Sequence, residues 1–257
     1  MRKFKTLYVK ELRSEKAVLV TFSAILVLLN LFLLIRVGKM ELGSATQISS
    51  FPLILIAYGY LGLSYAIISR EWSSGTSTLF TSLPVKGEYL LGAKILTVWT
   101  QYAVLMGLSI AGFALVSRLE FAAQPEALTY TLATSMYLAI ILFITLLPIA
   151  PLIFFTYLSG TSFGRWPTAV RIITGVLLYQ VILNGSKIID LYTDLGSVAI
   201  LLPLFSSSSS SDGVTTFTVS ATTNQLVVPV TYYIVSYLLA LLCFRLAARL
   251  LDKRPHP

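Results

Sequence analysis

The chain has 257 residues, 56% of them hydrophobic and only 12% charged, with a mean hydropathy of +0.82. Soluble domains carry about 25% charged residues, so this composition excludes an ordinary water-soluble fold. The formal charge of +8 does not mark a nucleic-acid partner, because Lys and Arg sit at the ends of apolar runs rather than on one stripe with interleaved aromatics. With a single cysteine, Cys243, and a single histidine, His256, an internal disulfide framework and a metal site with two or more His/Cys ligands are excluded as well.

Met1 to Lys16 holds six Lys/Arg, while Phe4, Leu7, Tyr8 and Leu12 recur at helical spacing on one side. This pattern predicts an interfacial amphipathic helix, and its cations also orient the first span. No Ala-x-Ala-like cleavage site follows, and the first apolar run is long enough to stay as an anchor, so the N-terminus is expected to be retained.

A helix needs about 20 apolar residues to cross the hydrocarbon core. Six segments meet or approach that length: 17–37, 48–69, 95–117, 129–159, 171–188 and 225–248. The expected architecture is therefore an all-α integral membrane protein of six transmembrane helices forming one domain over 1–257. The fourth segment contains Pro148 and Pro151, which predicts a kink or break there, and the fifth is short with a polar end at Asn184-Gly185-Ser186.

Between the second and third segments lies the polar stretch Arg70 to Lys94. Ser73, Ser74 and Thr76 supply caps, Leu79, Phe80 and Leu83 share one helical face, and Pro84 ends it, so a short helix from about Ser74 to Leu83 is expected. The long segment Lys187 to Asn224 precedes the last span. Within it, Gly196 to Phe205 is too short to cross and too apolar for an ordinary loop, which predicts a re-entrant or interfacial helix. Ser206–Ser211 reads as a flexible linker, and Val214 to Thr223 as a short extended piece.

Counting Lys and Arg by side orients the chain. With the N-terminus inside, fifteen fall on the cytoplasmic side and four (Arg36, Lys39, Arg118, Lys187) outside. Both termini and the 70–94 loop are therefore expected in the cytoplasm.

The central portions of these segments contain no Asp, Glu, His, Lys or Arg. An intramembrane protease would need paired Asp, a His-Glu-x-x-His helix or a base beside a Ser, so the chain does not read as an enzyme. Gly87 to Lys94 fails as a phosphate-binding loop, since Ala93 separates Gly92 from Lys94 and Ile95 follows. No bound cofactor is expected. Among the uncharged polar residues within the spans, Asn30 and Gln101 are the costliest to leave facing lipid and are expected to face protein or a pathway.

Glu71-x3-Gly75-Thr76, Leu83-Pro84-Val85 and Glu88-x3-Gly92-x-Lys94 resemble the loop between the second and third spans of ABC-2 type permeases, the membrane subunits of bacterial ABC exporters. Lys10-Glu11-Leu12-Arg13 before the first span and the long external segment before the sixth are similar to that family too. The resemblance implies a bacterial plasma-membrane protein whose pathway is completed by a second permease half, identical or paralogous. It also implies cytoplasmic ATPase subunits that carry ATP and Mg²⁺. The short loop helix would then be a coupling helix. Glu71, Gly75, Thr76, Leu79, Phe80, Leu83 and Pro84 would dock on the ATPase, with Arg70, Lys86 and Glu88 at the charged rim. The Ser206–Ser211 run departs from the family's pattern. The alternative readings are an ATP-independent carrier or channel and a membrane-bound peptide immunity protein.

Overall fold

The computed structural model describes residues 2–40, 42, 44–73, 85–162, 166–193, 197–201 and 225–252. Eight α-helices organise the described chain: α1 (Arg2–Ser14), α2 (Lys16–Arg36), α3 (Ser44–Ser73), α4 (Gly87–Glu120), α5 (Pro125–Leu146), α6 (Ile149–Ser162), α7 (Pro167–Thr193) and α8 (Val230–Asp252). Six helical stretches are long and apolar enough to cross a membrane: Lys16–Lys39, Ser44–Arg70, Gly87–Glu120, Pro125–Ser162, Pro167–Leu191 and Val230–Asp252. The fourth combines α5 and α6 across a turn at Leu147 and Pro148, where the proline pair places the break. The protein is a multi-pass membrane protein by the length and composition of these helices.

Two short strands, β1 (Ser197–Leu201) and β2 (Gln225–Pro229), pair antiparallel with Ser197 opposite Pro229. This corrects the helix expected over Gly196–Phe205. A run of five or so apolar residues carries no period that separates strand from helix, and here a partner strand rich in Val supplies the ladder. The ribbon also takes the first residues assigned to the last span, so the crossing helix begins at Val230. Pro229, without an N–H, ends the ladder and leads into the helix. The Ser206–Ser211 run and Val214 to Thr223 lie outside the described residues.

Two further boundaries move. The helix of the third span starts at Gly87, so the last eight residues of the 70–94 stretch belong to α4 rather than to a loop. The fifth span, expected to reach 188, runs on with Asn184, Gly185 and Ser186 inside α7, which continues to Thr193. Backbone hydrogen bonding in a helix is independent of side-chain polarity, so a polar tripeptide need not stop it.

Helix α4 is the central element. Its two sides pack against α2 and α3, α5 and α8, and α1 crosses it. Tyr102 sits in this core with its ring 4.7 Å from that of Tyr60 on α3 and stacked on Phe143 of α5 at 5.2 Å. Offset and tilted aromatic pairs of this kind add about 0.5–1.5 kcal/mol beyond their buried area. On the side facing α2, Gly112 permits a close crossing: a Cβ there would lie 2.3 Å from the Asn30 amide.

Helix ends are tied by carboxylates from other helices. Glu120, at the end of α4, accepts the N–H groups of Ala45 (3.2 Å) and Thr46 (2.7 Å) and the Thr46 hydroxyl, so it caps the start of α3. Asp252, at the end of α8, accepts the Gly87 N–H at 2.7 Å and caps α4. A carboxylate on the first free N–H groups also meets the positive end of the helix dipole. A side chain at position 87 would place its Cβ 2.6 Å from the Ala248 carbonyl oxygen, so glycine is required for this approach.

Candidate functional site

Two features stand out: the break in the fourth span and the end of the bundle where α3 and α4 flank residues 74–86.

At the break the backbone chemistry follows from two prolines. Pro148 cannot donate to the Ile144 carbonyl, and Pro151 cannot donate to the Leu147 carbonyl, because proline has no N–H and its ring crowds the carbonyl four residues back. In a bilayer an unsatisfied carbonyl costs several kcal/mol. Both orphans receive side-chain donors from other helices. The Tyr237 hydroxyl of α8 donates to Ile144 O at 2.7 Å. Trp99 Nε1 of α4 and the Tyr60 hydroxyl of α3 donate to Leu147 O at 3.1 and 3.3 Å. Three aromatic side chains on three helices thus replace two missing backbone bonds.

Beside the break is an apolar cavity of about 390 Å³, walled by Trp99, Pro148, Pro151, Tyr237, Phe244 and, from α1, Phe4. Leu241 and Tyr237, which also line it, are exposed on the outer surface of the bundle. A second apolar groove of about 210 Å³ lies between α2, α3 and α4 against Tyr102 and Leu105. Neither presents charge. Among the described residues, no three of His, Cys, Asp and Glu come together as a metal centre would require.

At the loop end, α1 is not free on the membrane surface. It packs its buried side on α4: the Phe4 ring lies 6.3 Å from Tyr89, and the Tyr8 hydroxyl is 2.9 Å from the Thr100 hydroxyl. Glu11 and Glu15 fall on the same side. Glu11 binds Lys94 of α4, Nζ to Oε2 at 3.0 Å, and Glu15 binds Arg70 near the end of α3. Lys94 is 1% exposed. Expected as a loop cation, it instead lies two turns inside α4, where burial is tolerated because Glu11 neutralises it. The N-terminal helix therefore holds both helices that flank the 74–86 segment.

Of the residues singled out in the sequence, Asn30 is buried and fully used: it donates to Leu26 O at 2.9 Å and accepts the Ser49 hydroxyl at 2.9 Å, joining α2 to α3 beside Gly112. Gln101 is 1% exposed, and neither end of its amide has a hydrogen-bond partner among the described residues. The two residues are not brought together by any contact described. Glu71 lies in the last turn of α3, its side chain outside the described residues; Gly75, Thr76, Leu79, Phe80, Leu83 and Pro84 lie outside them altogether. Of the rim residues, Lys86 and Glu88 are exposed. The three aromatic donors at the break carried no sequence signal beyond the prolines they serve, and Glu11 and Glu15 were hidden in a basic segment.

These features define a multi-pass helical membrane protein with a broken fourth span and an N-terminal helix bound across its third. Comparison with known protein families, with curated proteins and with solved structures finds no match to the chain.

Proposed function

We propose that the chain is the permease subunit of an ATP-driven exporter of the ABC-2 type in a bacterial plasma membrane. It pairs with a second permease half and receives the ATPase cycle through the segment between its second and third spans. ATP and Mg²⁺ are held by the cytoplasmic ATPase subunits, and this chain carries no catalytic group. The observation that carries the reading is the pair of ion bridges, Glu15 to Arg70 and Glu11 to Lys94, which tie α1 and the junction that follows it to both helices flanking that segment. A push on the loop is thereby delivered to α1, α3 and α4 together, which is what a coupling element requires. The excess of cations at this end supports a cytoplasmic position for it.

The test is docking. Leu83→Asp puts a charge into the apolar face expected of residues 74–83, where a buried anchor contributes about 2 kcal/mol or more, or roughly thirtyfold in affinity. An ATPase subunit should co-purify with the native chain and be lost from the variant, while the variant remains monodisperse. Retention at full stoichiometry with normal ATP turnover refutes the reading. The broken span with its apolar cavity favours a second reading, an ATP-independent carrier, since discontinuous helices line binding sites in many such proteins. Flux in vesicles without ATP or any partner distinguishes it.

A further inference from the structure

The sequence of α1 mixes cations and acids, but the fold separates them. Glu11 and Glu15 turn inward onto Lys94 and Arg70, whereas Lys5, Lys10, Arg13 and, at the start of α2, Lys16 are exposed. Lys5, Thr6, Val9, Lys10 and Arg13 line an open groove of about 400 Å³ along the outer face of the helix. The acids that would neutralise this face are already committed to the bundle, so it is uniformly cationic. Helix α1 continues into the first span with only Glu15 between them, and Leu19 N–H still bonds back to Glu15 O. The groove is therefore held at the level where a spanning helix leaves the hydrocarbon and meets headgroups.

We propose that the outer face of α1 is a binding surface for anionic phospholipid headgroups, with Lys5, Lys10 and Arg13 receiving the phosphates. Charge complementarity selects this occupant over a zwitterionic lipid, and the short tether to the span selects lipid over a soluble anion. On the inner side of the same helix, Phe4 borders the apolar cavity beside the break, which offers room for an acyl chain next to the cationic face. Cations near an anionic surface each contribute about fivefold to affinity, reduced by salt within a Debye length. The proposal does not depend on the exporter reading, because it requires no ATPase and no transport.

The full-length chain is purified without partners and exchanged into nanodiscs of mixed phosphatidylglycerol and phosphatidylcholine, and the lipid retained after transfer to detergent is measured by native mass spectrometry. The wild type should retain phosphatidylglycerol preferentially at low salt and lose most of that preference in 0.5 M NaCl, a concentration at which screening is short-ranged, about 4 Å. The triple variant Lys5→Gln/Lys10→Gln/Arg13→Gln should lower the preference at least tenfold. Arg245→Gln/Arg249→Gln, which changes exposed cations on α8, should leave most of it in place. Equal retention by the wild type and the α1 variant overturns the proposal, as does an equal loss in the α8 variant. So does a preference competed away by millimolar inorganic phosphate, which would indicate a free-anion site. The altered side chains are all exposed, and thermal unfolding of the variants checks that the bundle is intact.

Discussion

The hydrogen bond from Tyr237 to Ile144 exists because Pro148 removed the backbone donor, and this gives a double-mutant test with a sign that packing alone would not produce. Tyr237→Phe deletes one hydroxyl from a 2.7 Å bond and changes nothing else in shape. The orphaned carbonyl would cost several kcal/mol with no recourse, but hydrogen bonds between membrane helices measure about 0.6 and at most about 1.7 kcal/mol. The expected loss is therefore about 1–2 kcal/mol. Pro148→Ala returns an N–H to the same carbonyl and removes the ring clash. Leu147 already has helical dihedrals, φ −49° and ψ −45°, so the backbone needs little movement to accept the bond. In the Pro148→Ala background Tyr237→Phe should cost less than about 0.5 kcal/mol, leaving a coupling near 1 kcal/mol. The four proteins are compared by steric-trap unfolding in bicelles. If Tyr237→Phe costs the same in both backgrounds, within the roughly 0.3–0.5 kcal/mol expected of independent sites, the hydroxyl does not substitute for the missing backbone bond and the account of the break is wrong.

Two other contacts yield predictions of the same kind. At 3.0 Å and an effective dielectric near 20, the Glu11–Lys94 attraction is about 5 kcal/mol, offset by the cost of desolvating both groups. Glu11→Gln removes the carboxylate that faces the buried Lys94 ammonium, so it should destabilise by about 3–5 kcal/mol, whereas Glu11→Leu with Lys94→Met should be close to neutral. A double variant as unstable as the single would show that the pair is not the origin of the loss. Gly112→Val forces a side chain into the Asn30 amide and should cost about 1–3 kcal/mol, with Asn30→Ala recovering at least half of it; thermal unfolding of the pair without recovery would place the strain elsewhere.

The spans were legible because length and hydropathy alone identify them, and the break was legible because proline acts on the backbone wherever it sits. The donors at the break were not, since Tyr60, Trp99 and Tyr237 come from helices distant in sequence and any aromatic in those spans would look alike. Lys94 was misassigned to the loop because a cation is normally a boundary marker. Its burial depends on Glu11, and the sequence does not say which face of α1 meets which helix. The helix expected over Gly196–Phe205 failed for a different reason: a short apolar run takes the structure its neighbour offers, and β2 offered a ladder. Asn30 and Gln101, expected to face protein or a pathway, are both buried, and among the described residues only Asn30 has hydrogen-bond partners. A buried amide with neither end satisfied among the described residues is unusual, and it marks Gln101 as a polar group for which the described packing supplies no partner.

The loop end and the break share helix α4. Gly87, capped by Asp252, begins it; Lys94 and Trp99 follow on the same rod. From Gly87 to Trp99 the rise is about 18 Å at 1.5 Å per residue, and a hydrogen-bonded helix of that length moves as a unit. A displacement applied at residues 74–86 would therefore arrive at the Trp99 donor undiminished, and Trp99 holds the Leu147 carbonyl at the break. That carbonyl has a second donor in Tyr60 at 3.3 Å, slightly longer than the Trp99 bond. A carbonyl oxygen has two lone pairs, so both donors bond it at once, and the break is held from α3 and α4 together.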